Sequence, residues 1–152
     1  MTRIPLAPLL LGLAGLIPFA WGALTTLAPQ IGLWSLEILG GRFTGPYVGL
    51  SYGQVILAFM SGVLWGFATK AEGARAAAGY ALSVIPALWA FFMVGGGPVS
   101  AAVNLIAGFA GLLALDAAFS GWGLAPPWWM TLRVILTAGV ALCLAPVALM
   151  GG

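Results

Sequence analysis

Residues 76–115 read AAAGYALSVIPALWAFFMVGGGPVSAAVNLIAGFAGLLAL, and this stretch decides the fold. It runs from Arg75 to Asp116 without a charged residue. Crossing the hydrocarbon core of a bilayer takes about 20 apolar residues, so the stretch is long enough to cross twice. Gly95-Gly96-Gly97-Pro98 supplies the break, since no helix continues through that sequence. The reading is a pair of membrane-spanning helices joined by a tight turn.

The rest of the chain repeats the pattern. No charge falls between Arg3 and Glu37, between Arg42 and Lys70, or after Arg133. Hydrophobic residues make up 62% of the chain, and the mean hydropathy is +1.13. With five basic and three acidic residues there is nothing from which to build a solvated surface. The apolar runs are continuous rather than alternating, which argues against a β-barrel. The expected fold is an all-α membrane protein, a compact bundle of five transmembrane helices forming one integral membrane domain over residues 1–152. The spans are expected at about 5–27, 49–69, 77–96, 98–118 and 129–150. The N-terminal run is too long and too proline-rich for a signal-peptide core and is read as a retained first helix.

Basic residues set the expected orientation. With the N-terminus inside, Arg3, Lys70, Arg75 and Arg133 lie inside and only Arg42 outside, so the C-terminus is expected outside. The apolar 28–48 connection is then external. It is read either as a helix lying in the interface, with Trp34 at headgroup depth, or as an ordered loop packed on the helix ends.

Helix faces follow from small and weakly polar residues, which in lipid turn toward other helices. In the second span Gln54, Ala58, Ser61, Trp65 and Thr69 form one stripe beside Gly62 and Gly66, with Met60 expected on the lipid side. The third span gives Tyr80, Ser83, Ala87 and Ala90. The fourth gives Ser100, Asn104, Ala107, Gly111 and Ala118. Pro18 and Pro86 are expected to kink their helices, freeing the carbonyls of Ala14 and Leu82.

Few residues point to chemistry. There is no histidine, which removes the commonest general base and the commonest metal and haem ligand. The single cysteine, Cys143, lies in an apolar run and reads as a buried small side chain. Asp116 and Arg133 lie at matching depth on adjacent helices and form a candidate intramembrane ion pair; the alternative is that each reaches separately for the headgroups. Thr25, Thr26, Tyr52, Gln54 and Asn104 form a modest polar collection toward the outer end. They read mainly as interhelical hydrogen bonds. The alternative is a small pocket, for which Tyr52, Gln54, Trp65 and Asn104 are the candidate ligand-lining residues. Trp21, Trp65 and Trp89 are the deeper tryptophans, while Trp122, Trp128 and Trp129 suit an interfacial aromatic belt.

Several segments together resemble one family. They are Leu13-Ala-Gly15-Leu-Ile-Pro18-Phe19, Tyr52-Gly53 with Ile56-Leu57-Ala58-Phe59, and Ser61-Gly62-Val-Leu-Trp65-Gly66. Tyr80-Ala-Leu-Ser83-Val-Ile-Pro86, Leu115-Asp116, Pro127-Trp128-Trp129 and Leu132-Arg133-x-x-Leu136-Thr137 complete the set. This order resembles the family of domain of unknown function 3429, which includes mitochondrial transmembrane protein 69. The family commonly carries Trp-Tyr where this chain has Trp128-Trp129. The resemblance implies the architecture and a bacterial or mitochondrial inner membrane; no activity comes with it.

The expected function is that of a non-enzymatic protein of the bacterial inner (plasma) membrane, an accessory, assembly or interaction partner of a larger complex. The alternative is binding or transport of a small apolar ligand in a cavity of the bundle. An enzyme using Asp116 ranks last, because one carboxylate without histidine is poor equipment for catalysis. No cofactor or metal is expected. The expected partners are the bilayer and either other membrane proteins or a second copy, with no nucleic acid.

Overall fold

The computed structural model describes residues 3–150. Within them the chain is helical, with no strand. The first span, Leu6–Leu27, is two helices, α1 (Leu6–Ala14) and α2 (Ile17–Leu27). Then come α3 (Pro29–Leu39), a short 3-10 turn (Gly41–Phe43) and the second span, α4 (Pro46–Ala68). The third span, Gly73–Met93, is again two helices, α5 (Gly73–Ser83) and α6 (Ile85–Met93). The fourth and fifth are α7 (Pro98–Gly121) and α8 (Trp129–Leu149). All five spans are long and apolar enough to cross a membrane. Helix is the form that satisfies every backbone polar group within one segment, which hydrocarbon demands.

Proline places several of these elements. Pro29, Pro46 and Pro98 open α3, α4 and α7 at the first helical position, where the missing N–H costs nothing. Gly96 and Gly97 precede Pro98 with φ of 75° and 108°, a conformation that lets the chain reverse between α6 and α7. The second span thus begins at Pro46 rather than 49, and the third at Gly73 rather than 77. Pro146 sits inside α8 near its end without breaking it.

Pro18 and Pro86 do more than kink. Each sits at the second position of a new helix, and the spans break just before them, at Gly15-Leu16 and at Val84. Pro18 offers no N–H to Ala14, and Pro86 offers none to Leu82.

α4 lies at the centre, packed against α2, α5, α6 and α7. The core is built of large side chains: Phe19 from α2, Leu57 and Leu64 from α4, and Leu105, Phe109, Leu112 and Phe119 from α7. Glycine admits close neighbours around α7, at Gly53 and Gly108. An added Cβ on Gly53 would lie 2.8 Å from Leu105 Cδ1, and one on Gly108 2.7 Å from Trp89 Cδ1.

Those are not the glycines that sequence spacing selects. Gly62, Gly66 and Gly111 have nothing within 4 Å of an added Cβ, and Ala58 and Ala107 are exposed. Met60 is inside, at 5% exposure, while Trp65 is 50% exposed. The inward face of α4 is therefore rotated from the expected stripe, although Ser61 is buried on both accounts. The α7 stripe is also displaced, since Leu105 and Phe109 point in where Ala107 and Gly111 were expected. The third span follows its expected stripe, with Ser83 and Ala90 buried.

The 28–48 connection is helical in α3. Its Gly32 and Ser35 are buried; an added Cβ on Gly32 would meet the Thr25 carbonyl at 2.6 Å. Ser35 and Thr44 share a hydroxyl–hydroxyl hydrogen bond of 2.6 Å. Ile31, Leu33, Trp34 and Ile38 stay exposed. The segment is both a helix and packed on a helix end.

Candidate functional site

The site is built where α7 ends and α8 begins. Residues 122–128 turn the chain back, and the two helices then pack along their length. On α8, Trp129, Arg133 and Thr137 recur every fourth residue and so lie one above another. Asp116 faces this row from α7. Arg133 Nε donates to Asp116 Oδ2 at 2.9 Å, and Trp129 Nε1 donates to Asp116 Oδ1 at 2.9 Å. Both carboxylate oxygens thus have donors. Asp116 is 0% exposed and Arg133 5%. Phe67 of α4 packs edge-on against the Trp129 ring, 5.1 Å between centroids, and holds it in place.

Two polar atoms in this row remain without partners among the described residues. Arg133 Nη2 and Thr137 Oγ1 are both buried and make no hydrogen bond. Arg133 and Thr137 also line a cavity of about 560 Å³ between the first span, α4 and α8. That is within the range of small-molecule sites. Its walls are apolar, with Leu16, Ile56, Met60 and Leu136 prominent. Its rim includes Leu11, Val55 and Phe59, which are exposed on the lateral surface.

The broken first span makes this space. α2 packs on α4 and α8, whereas α1 keeps mainly to α8 and has no buried residue. Gly12 and Gly15 line the gap, and Tyr52 stands at its upper wall with its ring edge-on to Phe19, 5.2 Å between centroids. A second cavity of about 270 Å³, lined by Pro18, Arg42 and Phe43, shares Tyr52 and Val55 with the first. Tyr52 and Val55 of α4 thus stand between the two.

Of the four residues put forward as ligand-lining, Tyr52 alone lines this cavity. Gln54 turns to the third span and donates from Nε2 to the carbonyls of Ala90 and Val94, both at 3.2 Å. Trp65 lies against Tyr80, 4.6 Å between ring centroids. Asn104 donates from Nδ2 to Ser100 Oγ at 3.5 Å, and its backbone carbonyl accepts from Trp89 Nε1 at 2.7 Å. The polar collection does not converge. Thr25 Oγ1 accepts from the Gly45 N–H at 2.7 Å, and Thr26 Oγ1 donates to the Gly22 carbonyl at 2.7 Å. Trp21 Nε1 donates to the Phe43 carbonyl at 2.8 Å. The deeper tryptophans therefore brace backbone or surface, and the tryptophan at the cavity is Trp129, which sequence reading assigned to the interface. The fourfold spacing of Trp129, Arg133 and Thr137 in an otherwise apolar helix is the signal that marks it.

At the end of the bundle that holds this site, Lys70 Nζ donates to the Leu124 carbonyl at 3.1 Å and Arg75 lies over the Trp122 ring. These contacts tie the 69–72 turn and the start of α5 to the 122–128 turn.

Comparison with known proteins bears on the whole chain. Transmembrane protein 69 of Xenopus tropicalis is 34% identical over 137 residues, covering 88% of this chain and 50% of that protein. The chain thus spans about half the length of the curated relative it matches. No solved structure matches. The family model described as protein of unknown function (DUF3429) matches residues 4–149. With a break before Pro18, a Tyr52 wall and the Asp116–Arg133 pair all inside the matched region, the chain belongs to the DUF3429 family of multi-pass membrane proteins.

Proposed function

We propose that this protein holds a small, largely apolar molecule taken from the lipid phase of a bacterial plasma membrane, without converting it. The observation that carries this reading is the apolar cavity of about 560 Å³ beside the first span, whose rim of Leu11, Val55 and Phe59 is exposed on the lateral surface. Its apolar walls take up the apolar part of a molecule that enters from lipid. The absence of histidine from the sequence and the engagement of both Asp116 oxygens support binding over catalysis. The accessory or assembly reading has no comparable feature behind it.

The test is purification in mild detergent from the plasma-membrane fraction of expressing bacteria, followed by mass spectrometry of bound small molecules. The wild-type chain is expected to carry one class of compound at near-stoichiometric level. Val55→Trp is expected to lose it. Val55 lines the cavity but is 62% exposed, so the larger ring fills the rim without disturbing the core. Equal, non-stoichiometric lipid on both proteins would remove the reading, and absence of the chain from that fraction would remove the location.

A further inference from the structure

Arg42 stands on a short turn whose backbone is held by side chains of α2 and α3. Trp21 Nε1 donates to the Phe43 carbonyl at 2.8 Å, and Thr25 Oγ1 accepts from the Gly45 N–H at 2.7 Å. Thr44 Oγ1 donates to the Gly40 carbonyl at 2.9 Å and is bonded to Ser35 Oγ at 2.6 Å. A turn fixed in this way needs little further ordering when it binds. Beside it lies the smaller cavity of about 270 Å³, lined by Arg42, Phe43, Val48, Ser51 and Val55 among others. We infer that this recess seats the head of an anionic phospholipid, with the phosphate on the Arg42 guanidinium.

Charge names the class of head. Among the described residues the one ion pair is Asp116–Arg133, so neither Glu37 nor any other acid matches Arg42. No acidic residue lines the recess, and Ser51 adds a hydroxyl to it. The Arg42 guanidinium lies over the Phe43 ring, 5.4 Å from its centroid, an attraction that needs no acceptor atom. Its planar fork of N–H donors suits two oxygens of one phosphodiester. One phosphodiester offsets one guanidinium. A head that also carries an amine brings a second cation to a site without an acid, so a head of net negative charge is favoured over a zwitterionic one.

Depth names the molecule as a lipid. α4 has 23 residues and so is about 35 Å long, against about 30 Å of hydrocarbon. Its first turn, at Pro46, therefore stands at the membrane boundary, and Arg42 stands just before it. Exposed Trp34, Phe43 and Tyr47 near the same end suit an interfacial aromatic belt. Val55 lies about two and a half turns further along α4, about 13 Å deeper. The recess is thus charged at the boundary and apolar toward the hydrocarbon, which is the gradient of a lipid and not of a free ion. Its volume is below the roughly 300 Å³ at which small-molecule sites begin, so it holds a head and not a whole lipid. The acyl chains continue in the bilayer past Val55, which is 62% exposed.

The experiment uses the full chain in mild detergent. It is mixed with equimolar phosphatidylglycerol, phosphatidylethanolamine and phosphatidylcholine of the same acyl chains, and native mass spectrometry counts the lipid retained. Phosphatidylglycerol is expected to be retained over either zwitterionic lipid roughly tenfold, the scale of one charge-assisted hydrogen bond. Arg42→Gln is expected to bring the three to parity; the side chain is exposed, so the core is left alone. Arg42→Lys keeps the charge but loses the fork, and is expected to keep part of the preference. Arg3→Gln removes a cation outside the recess and is expected to keep all of it. Parity in the wild-type chain would overturn the assignment, and so would a full preference in Arg42→Gln. Equal loss in Arg3→Gln would show a response to net charge alone and overturn the site. Displacement of the lipid by glycerol 3-phosphate at equal concentration would give the recess to a soluble phosphate and overturn the lipid. Arg42→Gln is expected to leave the compound of the larger cavity in place, so this assignment and the binding function proposed above stand or fall separately.

Discussion

The first and third spans break in the same way, yet one break opens a cavity and the other is sealed. Ile17-Pro18-Phe19-Ala20-Trp21 and Ile85-Pro86-Ala87-Leu88-Trp89 share the pattern Ile-Pro-x-x-Trp. The junction residues match in conformation, Leu16 at φ −81°, ψ −14° and Val84 at φ −83°, ψ −13°. Both helices resume with the same bond, Ala20 N–H to the Leu16 carbonyl at 2.9 Å and Leu88 N–H to the Val84 carbonyl at 3.1 Å. Both tryptophans donate to a backbone carbonyl elsewhere. The difference lies in the neighbour. At the third span, Ser61 Oγ of α4 accepts the Ala87 N–H at 2.8 Å, and Gln54 holds the two carbonyls beyond. At the first span no side chain of another helix hydrogen-bonds to Gly15 or Leu16 among the described residues, and both line the cavity. Proline sets the kink; the polar residues of the facing helix decide whether it becomes space.

The most damaging change to this contrast is at the cavity floor. Arg133→Gln leaves the Asp116 carboxylate buried without a counter-charge and is expected to cost about 3–5 kcal/mol. Asp116→Asn is expected to be of similar size, and the double variant should lose less than the two single losses added together. Detergent-phase unfolding of the four proteins reads this directly. Strictly additive losses would show that the two charges do not support one another.

A smaller effect, and a sharper one, comes from exchanging the fates of the two breaks. Ser61→Ala strands the Ala87 N–H and is expected to destabilise by about 1–3 kcal/mol in the same assay. Pro18→Leu restores an N–H toward Ala14 and is expected to change stability by only about 1 kcal/mol while reducing the bound ligand. Pro86→Leu should leave ligand content as it is. If Pro18→Leu retains the full complement of ligand, the broken first span is not what makes the cavity.

Much of this was legible before any coordinates. The uncharged runs from Arg3 to Glu37, from Arg42 to Lys70, from Arg75 to Asp116 and after Arg133 place the spans, and Gly95–Pro98 separates two of them, because the cost of a charge in lipid is large and local. Matching depth on adjacent helices leaves Asp116 and Arg133 either paired or reaching separately for the headgroups, and the structure brings their side chains together. Helix faces were much less legible. In water, an apolar face is the buried face; in lipid both faces are apolar, so Met60 and Trp65 cannot be sorted by hydrophobicity. Small residues did not sort them either, since Gly62 and Gly66 meet nothing while Gly53 and Gly108 admit Leu105 and Trp89. The cavity was illegible for a related reason. It depends on the lack of a hydrogen-bonding residue opposite Gly15-Leu16, and a single sequence does not say what a helix lacks across from it.

The Asp116–Arg133 pair also bears on how the protein is made. During synthesis α7 leaves the ribosome first, carrying a carboxylate with no counter-ion within its own length. The partner arrives only after the 122–128 turn and the first turn of α8 have followed. A lone acid within a spanning helix raises the cost of partitioning out of the translocon, by up to about 2.5–3.5 kcal/mol at the helix centre and less near its end. The α7–α8 hairpin, rather than either helix, is therefore the expected unit of insertion. A nascent chain stopped after Gly121 should integrate less efficiently than one stopped after Leu149 in a membrane-integration assay, and equal integration would show that α7 enters alone.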